Sequence, residues 1–177
     1  MTEATKPAIA FLGIGLMGMP MCRCLLRNGF GLTIWNRSLE KAKVLQEDGA
    51  TIATSPAVAV VDAEVIITML SDGGAVEDVI FKQGGAKAIA GGTTHIDMSS
   101  IGADEAMDHA KRHAQGGVHY LDAPVSGGTK GAAAGELAIM VGGDPETFSE
   151  MIPVFNAMGH ATHVGPNGCG QLAKLAN

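Results

Sequence analysis

Residues 8–18 read AIAFLGIGLMG, and this stretch decides the fold. An apolar run typical of a buried strand leads into Gly13-x-Gly15-x-x-Gly18, and an apolar helical pattern follows. Glycine-rich turns are common, but a dinucleotide site requires this order of strand, turn and helix. Gly13 permits the tight turn, Gly15 lets the backbone approach a pyrophosphate, and Gly18 lets the helix pack close to its strand.

The start of that helix is the expected phosphate site. A helix N-terminus offers unpaired N–H groups and a partial positive charge, and both favour an anion. The predicted phosphate-binding residues are those of the turn and of the first helical residues: Gly13, Gly15, Leu16, Met17 and Gly18.

Strand and helix patterns alternate along the chain. Strands are predicted at Ala8–Leu12, Leu32–Trp35, Thr51–Ile52, Val65–Met69, Thr93–Asp97, Val118–Asp122, Leu137–Val141 and Ala161–Val164. Helices are predicted at Leu16–Asn28, Ser38–Glu47, Ser55–Asp62, Ala75–Phe81, Gly102–Gln115, Pro145–Met158 and Gly168–Asn177, and Ser126–Gly135 is predicted to be a glycine-rich loop. This alternation predicts an α/β fold of the Rossmann type, with a doubly wound, mostly parallel sheet and flanking helices.

The composition excludes several function classes. The chain has 177 residues and a formal net charge of −6, without a basic run, so nucleic-acid binding has little electrostatic support. No apolar stretch reaches the ~20 residues of a membrane span. Three cysteines, Cys22, Cys24 and Cys169, are an odd number that favours free thiols in a reducing compartment, and we expect a cytoplasmic protein.

The end of the second predicted strand bears on the choice of cofactor. In NAD-binding forms of this fold, an acidic residue at this point holds the ribose hydroxyls. Here the sequence is Asn36-Arg37-Ser38, with no carboxylate to repel a 2′-phosphate. Arg37 offers a planar cationic group to a phosphate, and Ser38 adds a hydroxyl. A solvated loop arginine is the alternative, but this position favours NADP over NAD.

Four motifs together resemble one family. Besides the opening turn they are IDMSS at residues 96–100, DAPVSGG at 122–128 and GCGQLAKLAN at 168–177. In this order they are similar to the motifs of the β-hydroxyacid dehydrogenases, which include 3-hydroxyisobutyrate dehydrogenase, tartronate semialdehyde (2-hydroxy-3-oxopropionate) reductase and the glyoxylate/succinic semialdehyde reductases. The resemblance covers essentially the whole chain and does not select one member.

The resemblance implies roles for the matching residues. Lys174 matches the catalytic lysine, a proton donor to the carbonyl oxygen in reduction and an acceptor in oxidation. Ser126, Gly127 and Gly128 match the loop that binds the substrate carboxylate. Ser100 matches a hydroxyl position beside both nicotinamide and substrate. Residues that line the cofactor cleft in the family are matched here by Met69, Leu70 and Ser71, and also by Asn36.

One position departs from the family pattern. The polar partner of the lysine is usually an asparagine four residues later, whereas Asn177 stands three residues after Lys174. Both spacings share a helix face, so the partner is either Asn177 or the residue at the next position. The resemblance also implies that residues 1–165 form the NADP-binding domain. Residues 166–177 would begin an interdomain helix that leads to an all-helical domain beyond this sequence, in a homodimer or homotetramer.

The predicted function is the reduction of a small carboxylate substrate, a semialdehyde acid. Two alternative functions remain open. An imine reductase would share the turn and the Asn-Arg-Ser sequence but has other residues at the lysine position, so Lys174 argues against it. A nucleotide-binding module without catalysis is the other rival, and Lys174 with Ser126 argues against that.

His109 and His113 have the spacing of zinc ligands, but we interpret them as a solvated helix face and expect no metal. We interpret Cys169 as a packing residue.

Overall fold

One β-sheet with helices on its two faces organises the chain in the computed structural model, which describes residues 6–177. Its strands are β1 (Ile9–Leu12), β2 (Leu32–Trp35), β3 (Thr51–Ile52), β4 (Val65–Thr68), β5 (Thr94–Asp97), β6 (His119–Asp122), β7 (Val125–Ser126), β8 (Leu137–Gly142) and β9 (Gly159–Gly165). Its α-helices are α1 (Gly18–Arg27), α2 (Leu39–Glu47), α3 (Pro56–Val60), α4 (Gly73–Val76), α5 (Gly85–Ala88), α6 (Ala103–Gln115), α7 (Gly128–Ala134), α8 (Pro145–Asn156) and α9 (Cys169–Ala176). A π-helical segment, Glu77–Lys82, continues α4.

The strand order places a crevice beside β1. The strands follow the order β3-β2-β1-β4-β5-β6-β8-β7, and β9 pairs with β8. The strands from β3 to β6 are parallel, whereas β8 is antiparallel to β6 and β7. The chain winds outward in both directions from β1, and ligands of such sheets bind at this switch point beyond the carboxyl ends of the strands. The Rossmann-type, mostly parallel sheet is therefore confirmed.

The central strands are buried on both faces, which explains their continuous apolar runs. All four residues of β1, β4 and β5 are buried. Side chains alternate between the faces, so Ile9 and Phe11 join one apolar cluster while Ala10 and Leu12 join the other. Burial on both faces holds the carboxyl ends of the strands in place and thereby positions the loops that follow them.

Three helical segments differ from the prediction, and one of them is the short helix α5, Gly85–Ala88, where no helix was predicted. The stretch 126–135 is not a loop throughout, because β7 ends at Ser126 and helix α7 occupies Gly128–Ala134. Its three consecutive alanines favour a helix, and Gly135, with φ of +73°, ends it. The predicted helix Ala75–Phe81 begins earlier, at Gly73, and changes to π-helical winding at Glu77.

The interpretation of His109 and His113 as a solvated face is wrong, since both are only 3% exposed. Nε2 of His113 lies 2.9 Å from Nδ1 of His95, and Nε2 of His95 lies 2.9 Å from Oγ1 of Thr68. Burial lowers the pKa of His113 to about 4. Both histidines of α6 are buried because the inner face of this helix packs on the sheet. Ala106 and the two histidines have the spacing of residues on one helix face, and this pattern could have indicated their burial.

Every helix in residues 6–177 is too short or too polar to cross a membrane.

Candidate cofactor and active site

The turn after β1 requires glycine at two positions. Gly13 has φ of +107°, and a Cβ on it would lie 2.4 Å from the carbonyl oxygen of Met69. A Cβ on Gly18 would lie 2.0 Å from the carbonyl oxygen of Gly13. Among the described residues, none beyond the chain neighbours of Gly15 has an atom within 4 Å of the place that a Cβ on it would take. Gly13 and Gly18 thus let the turn pack against strand and helix, while Gly15 leaves its outer surface open to a ligand.

The start of α1 is suited to an anion. It has no side-chain cap and no acidic residue in its first turn. The N–H groups of Gly15, Leu16 and Met17 meet no acceptor within residues 6–177. Unpaired donors together with the helix dipole favour a phosphate at this place.

A cleft of about 400 Å³ opens above this turn, at the carboxyl ends of β1, β2 and β4. The predicted cofactor residues that line it are Gly13, Gly15, Asn36, Arg37, Met69, Leu70 and Ser71. The other predicted residues lie outside its lining: Leu16, Met17, Gly18, Ser38 and Ser100. The lining also includes residues that the sequence analysis missed: Trp35, Lys41, Ala75, Asp78, Val79 and Gln83.

Two cationic side chains lie at the far end of β2. Arg37 precedes helix α2 and Lys41 lies in its first turn, and both line the cleft and are exposed. Within residues 6–177 neither forms an ion pair, and Glu40, the acidic residue of that turn, pairs with Lys43 at 2.7 Å. The spacing of four residues from Arg37 was the signal that could have identified Lys41.

Asn36 and Ser38 differ from Arg37 in their surroundings. The side-chain oxygen of Asn36 accepts the N–H of Ile14 at 2.9 Å, and its amide nitrogen donates to the carbonyl of Ser38 at 2.9 Å. Asn36 therefore ties the glycine turn to the end of β2. Ser38 occupies the N-cap position of α2, but its hydroxyl makes no capping bond.

A buried network supports the loop after β4. The N–H of Leu70 donates to Oγ of Ser99 at 3.0 Å, and the N–H of Ser99 donates to Oδ1 of Asp97 at 3.0 Å. Thr68 and Tyr120 donate their hydroxyls to the same carboxylate at 2.8 and 3.1 Å. Burial raises the pKa of Asp97, while these donors oppose the rise. The network fixes the cleft residues Met69 and Leu70 relative to β5.

Helix α9, which carries Lys174, begins on a second buried carboxylate. Asp122, at the end of β6, accepts the N–H of Gly168 at 2.8 Å and the N–H of Gln171 at 3.1 Å. Burial raises the pKa of Asp122, and these N–H groups oppose the rise. A Cβ on Gly170 would lie 2.5 Å from the carbonyl oxygen of Asp122. The first turn of α9 therefore packs directly against the backbone at the end of β6.

The side chain of Gln171 joins α9 to the loop after β5. It is 2% exposed, donates to the carbonyl of Ser99 at 2.9 Å and accepts the N–H of Ile101 at 3.2 Å. These two groups flank Ser100, whose own side chain is exposed. Gln171 thus fixes the position of the loop around Ser100 relative to helix α9, which carries Lys174.

The structure brings the other predicted active-site residues to the same edge of the sheet. Lys174 is half-buried and lies one turn after the start of α9, and Asn177 follows that helix. Ser126 ends β7, just after β6, and exposed Gly127 and Gly128 follow with φ of +132° and +59°. Among the described residues, no hydrogen bond joins the Lys174 side chain to Ser126, Ser100 or Asn177.

The sequence analysis missed the buried residues that hold this edge together, Ser99, Asp122 and Gln171. Polar residues at the ends of apolar strands were the available signal for the first two. In residues 6–177 no group of three or more His, Cys, Asp or Glu side chains is arranged to hold a metal ion.

Comparisons with known proteins agree with this geometry. Residues 8–165 match the family model of the NAD binding domain of 6-phosphogluconate dehydrogenase. The chain is 38% identical to glyoxylate/succinic semialdehyde reductase 1 of Arabidopsis thaliana, over 94% of this chain and 58% of that protein. It is 42% identical to the NAD-dependent L-serine dehydrogenase of Pseudomonas aeruginosa, over 96% and 57%.

A solved structure is also similar. The 3-hydroxyisobutyrate dehydrogenase of Mycobacterium tuberculosis, with L-serine, superimposes with a TM-score of 0.93 at 37% identity, over 98% of this chain and 59% of that one. The chain thus spans between 57% and 59% of the length of these relatives. It belongs to the family of the NAD binding domain of 6-phosphogluconate dehydrogenase, and the β-hydroxyacid dehydrogenases that its motifs resemble are confirmed as its relatives.

Proposed function

We propose that this chain binds NADP(H) and forms the cofactor-binding part of a β-hydroxyacid dehydrogenase. The enzyme would reversibly reduce a small semialdehyde acid, such as tartronate semialdehyde, glyoxylate or succinic semialdehyde, to the hydroxy acid. The observation that carries the proposal is the cleft at the switch point, with an open glycine turn at one side and two cations at the other that form no ion pair within residues 6–177.

The cleft residues fit a dinucleotide. The open surface of Gly15 and the free N–H groups at the start of α1 would hold the pyrophosphate, and the exposed neighbours Leu16 and Met17 would flank it. Met69, Leu70 and Ser71 would line the path toward the nicotinamide, beside Ser100. When bound, NADPH supplies the hydride for the reduction.

Arg37 and Lys41 support NADP over NAD. Both cations line the cleft and are without an acidic partner in the described residues, so a 2′-phosphate would meet two positive charges. Charge-assisted hydrogen bonds contribute roughly 1.5–3 kcal/mol. One relative is named as NAD-dependent, so family membership does not decide the preference, and the proposal depends on these two side chains.

The substrate would bind where β5, β6 and β7 end. Ser126 and the exposed backbone of Gly127 and Gly128 would hold the carboxylate, because glycines leave their N–H groups unshielded. Ser100, with its hydroxyl exposed at the same edge, would orient the carbonyl group. The networks around Gln171 and Asp122 would keep these positions fixed relative to Lys174.

Lys174 would act as the general acid and base. Its ammonium would donate a proton to the carbonyl oxygen during reduction and stabilise the charge that develops there. In oxidation the same nitrogen would take the proton from the hydroxyl. Asn177, three residues later on the same side of the helix, is the proposed polar partner.

The proposal assigns residues 1–165 to the cofactor domain and residues 166–177 to a helix that leads out of it. Leu172 and Leu175 of α9 are 56% and 82% exposed, which supports a packing partner for this helix in the whole protein. We assign that role to an all-helical domain, in a homodimer or homotetramer. A nucleotide-binding module without catalysis is the alternative.

Calorimetric titration of the chain with NADPH and with NADH tests the proposal. NADPH is expected to bind at least about tenfold more tightly, the ratio that one charge-assisted phosphate contact gives. Failure of both dinucleotides to bind would overturn the proposed cofactor function, and equal affinities would overturn the NADP preference.

A further inference from the structure

One wall of the cofactor cleft is a helix with an altered winding. Helix α4 ends at Val76, and the π-helical segment Glu77–Lys82 follows it. At its end, the N–H of Gln83 donates to the carbonyl oxygen of Asp78 over 2.9 Å, a bond that spans five residues. Such π-helical turns are rare and frequently lie at functional sites.

This winding brings two polar side chains together on the cleft surface. Asp78 and Gln83 are both exposed and both line the cleft. The amide nitrogen of Gln83 donates to Oδ2 of Asp78 over 2.6 Å. A carboxylate only accepts hydrogen bonds, so the contact fixes which end of the amide is nitrogen. In an α-helix these two residues would lie on different sides.

The orientation leaves a defined pair of groups free. Asp78 takes one of the two N–H groups of the Gln83 amide, which leaves the other N–H and the amide oxygen for a ligand. This donor and acceptor pair is complementary to adenine, whose 6-amino group donates and whose adjacent ring nitrogen accepts. Glutamine amides read adenine in this bidentate way in nucleic-acid complexes.

We propose that Gln83, oriented by Asp78, is the residue that recognises the adenine base of the cofactor. The inference rests on the proposed dinucleotide function and adds base specificity to it. Arg37 and Lys41 would hold the 2′-phosphate, and Gln83 at the end of the π-helical segment would form hydrogen bonds with the adenine base beside it. Hypoxanthine in place of adenine reverses the pattern, since its 6-oxo group accepts and its N1–H donates.

The experiment compares NADPH with its hypoxanthine analogue by calorimetric titration of the chain. Wild type is expected to bind NADPH about tenfold more tightly, the discrimination that one bidentate amide–base contact provides. Gln83→Leu should weaken NADPH binding and bring the two affinities to within about twofold of each other. Asp78→Ala, which frees the amide to rotate, should reduce the ratio in the same direction.

Lys82→Met is the matched control, because Lys82 is an exposed neighbour outside the cleft lining and should keep the wild-type ratio. Thermal unfolding of each variant verifies that it is folded. Equal affinities of wild type for the two dinucleotides would overturn the inference, and so would a Gln83→Leu protein that still discriminates. If neither dinucleotide binds wild type, the proposed cofactor function itself fails, which is a different result.

Discussion

The side-chain amide of Gln171 donates to the carbonyl of Ser99 over 2.9 Å, across 72 residues of sequence. The same amide accepts the N–H of Ile101, so one buried side chain holds both peptide groups that flank Ser100. Lys174 lies one helical turn further along. Gln171 thus connects the helix that carries Lys174, the proposed proton donor, to the loop that contains Ser100.

Gln171→Leu should therefore destabilise the fold. The leucine fills a similar volume but leaves the Ser99 carbonyl and the Ile101 N–H without partners. Each unsatisfied buried group costs about 1–2 kcal/mol, so the free energy of unfolding should fall by roughly 2–4 kcal/mol in urea titrations. The neighbouring exposed Leu172→Gln should change it by less than about 0.5 kcal/mol. An unchanged Gln171→Leu protein would show that the amide contributes nothing.

The glycine turn offers a matched pair of variants. Gly18→Ala puts a methyl group 2.0 Å from the carbonyl oxygen of Gly13 and should lower the free energy of unfolding by about 2 kcal/mol or more. The methyl group of Gly15→Ala meets no atom of residues 6–177 within 4 Å, so thermal unfolding should be unchanged. Its methyl group would instead meet the pyrophosphate, and NADPH affinity should fall about tenfold, the loss of one charge-assisted contact. Undiminished binding by Gly15→Ala would place the phosphates elsewhere.

Arg37 should decide the cofactor preference. Arg37→Asp replaces the cation with a carboxylate that repels a 2′-phosphate and accepts from ribose hydroxyls. The ratio of NADPH to NADH affinity should fall by more than about a hundredfold and reverse, since both loss of attraction and new repulsion act on the phosphate. Lys43→Gln, on the helix α2 that follows Arg37 but paired with Glu40 outside the cleft, should keep the wild-type ratio.

The buried histidines should make the fold sensitive to acid. The pKa of His113 is lowered to about 4 by burial, and burial lowers the pKa of His95 as well. The unfolded chain therefore takes up the proton first, so this contribution to stability is complete above about pH 6.5 and is lost as the pH falls toward 4. Each extra proton corresponds to about 1.4 kcal/mol per pH unit.

Urea unfolding between pH 7 and pH 4.5 measures this effect. His113→Phe removes the titrating group at the cost of the bond to His95, so it should be less stable at pH 7. Its stability should nevertheless decline less steeply with acid than that of wild type. Identical slopes for the two proteins would contradict a neutral buried His113.

Lys174 should carry the chemistry in the whole enzyme. Lys174→Ala should lower kcat for semialdehyde reduction by about 10²–10⁴, the usual effect of a positioned proton donor, while NADPH still binds. Lys174→Arg should not restore the rate, because a guanidinium does not release its proton near neutral pH. Lys111→Ala, an exposed change on α6, serves as the control. A fully active Lys174→Ala enzyme would remove this residue from the mechanism.

The sequence by itself determined the class of fold and predicted the edge of the sheet at which the cleft lies. Strand β1 and the turn at Gly13 and Gly18 follow from local rules, since apolar runs predict buried strands and close backbone approach demands glycine. The place of Arg37 in the cleft could be predicted for the same reason, because it depends only on the position after the second strand, whereas its role in NADP binding remains a prediction. The assigned roles of Lys174, Ser126 and Ser100 rest on motif resemblance and remain predictions.

Only the tertiary structure decided which polar residues are buried and which pairs meet. The bond between Gln171 and Ser99 and the contact of His95 with His113 join residues far apart in sequence, so no local pattern could show them. The pairing of Asp78 with Gln83 depends on a π-helical turn that the helical pattern does not distinguish from an α-helix. Local periodicity sets which side of a segment faces the core, whereas long-range packing sets what that side contacts.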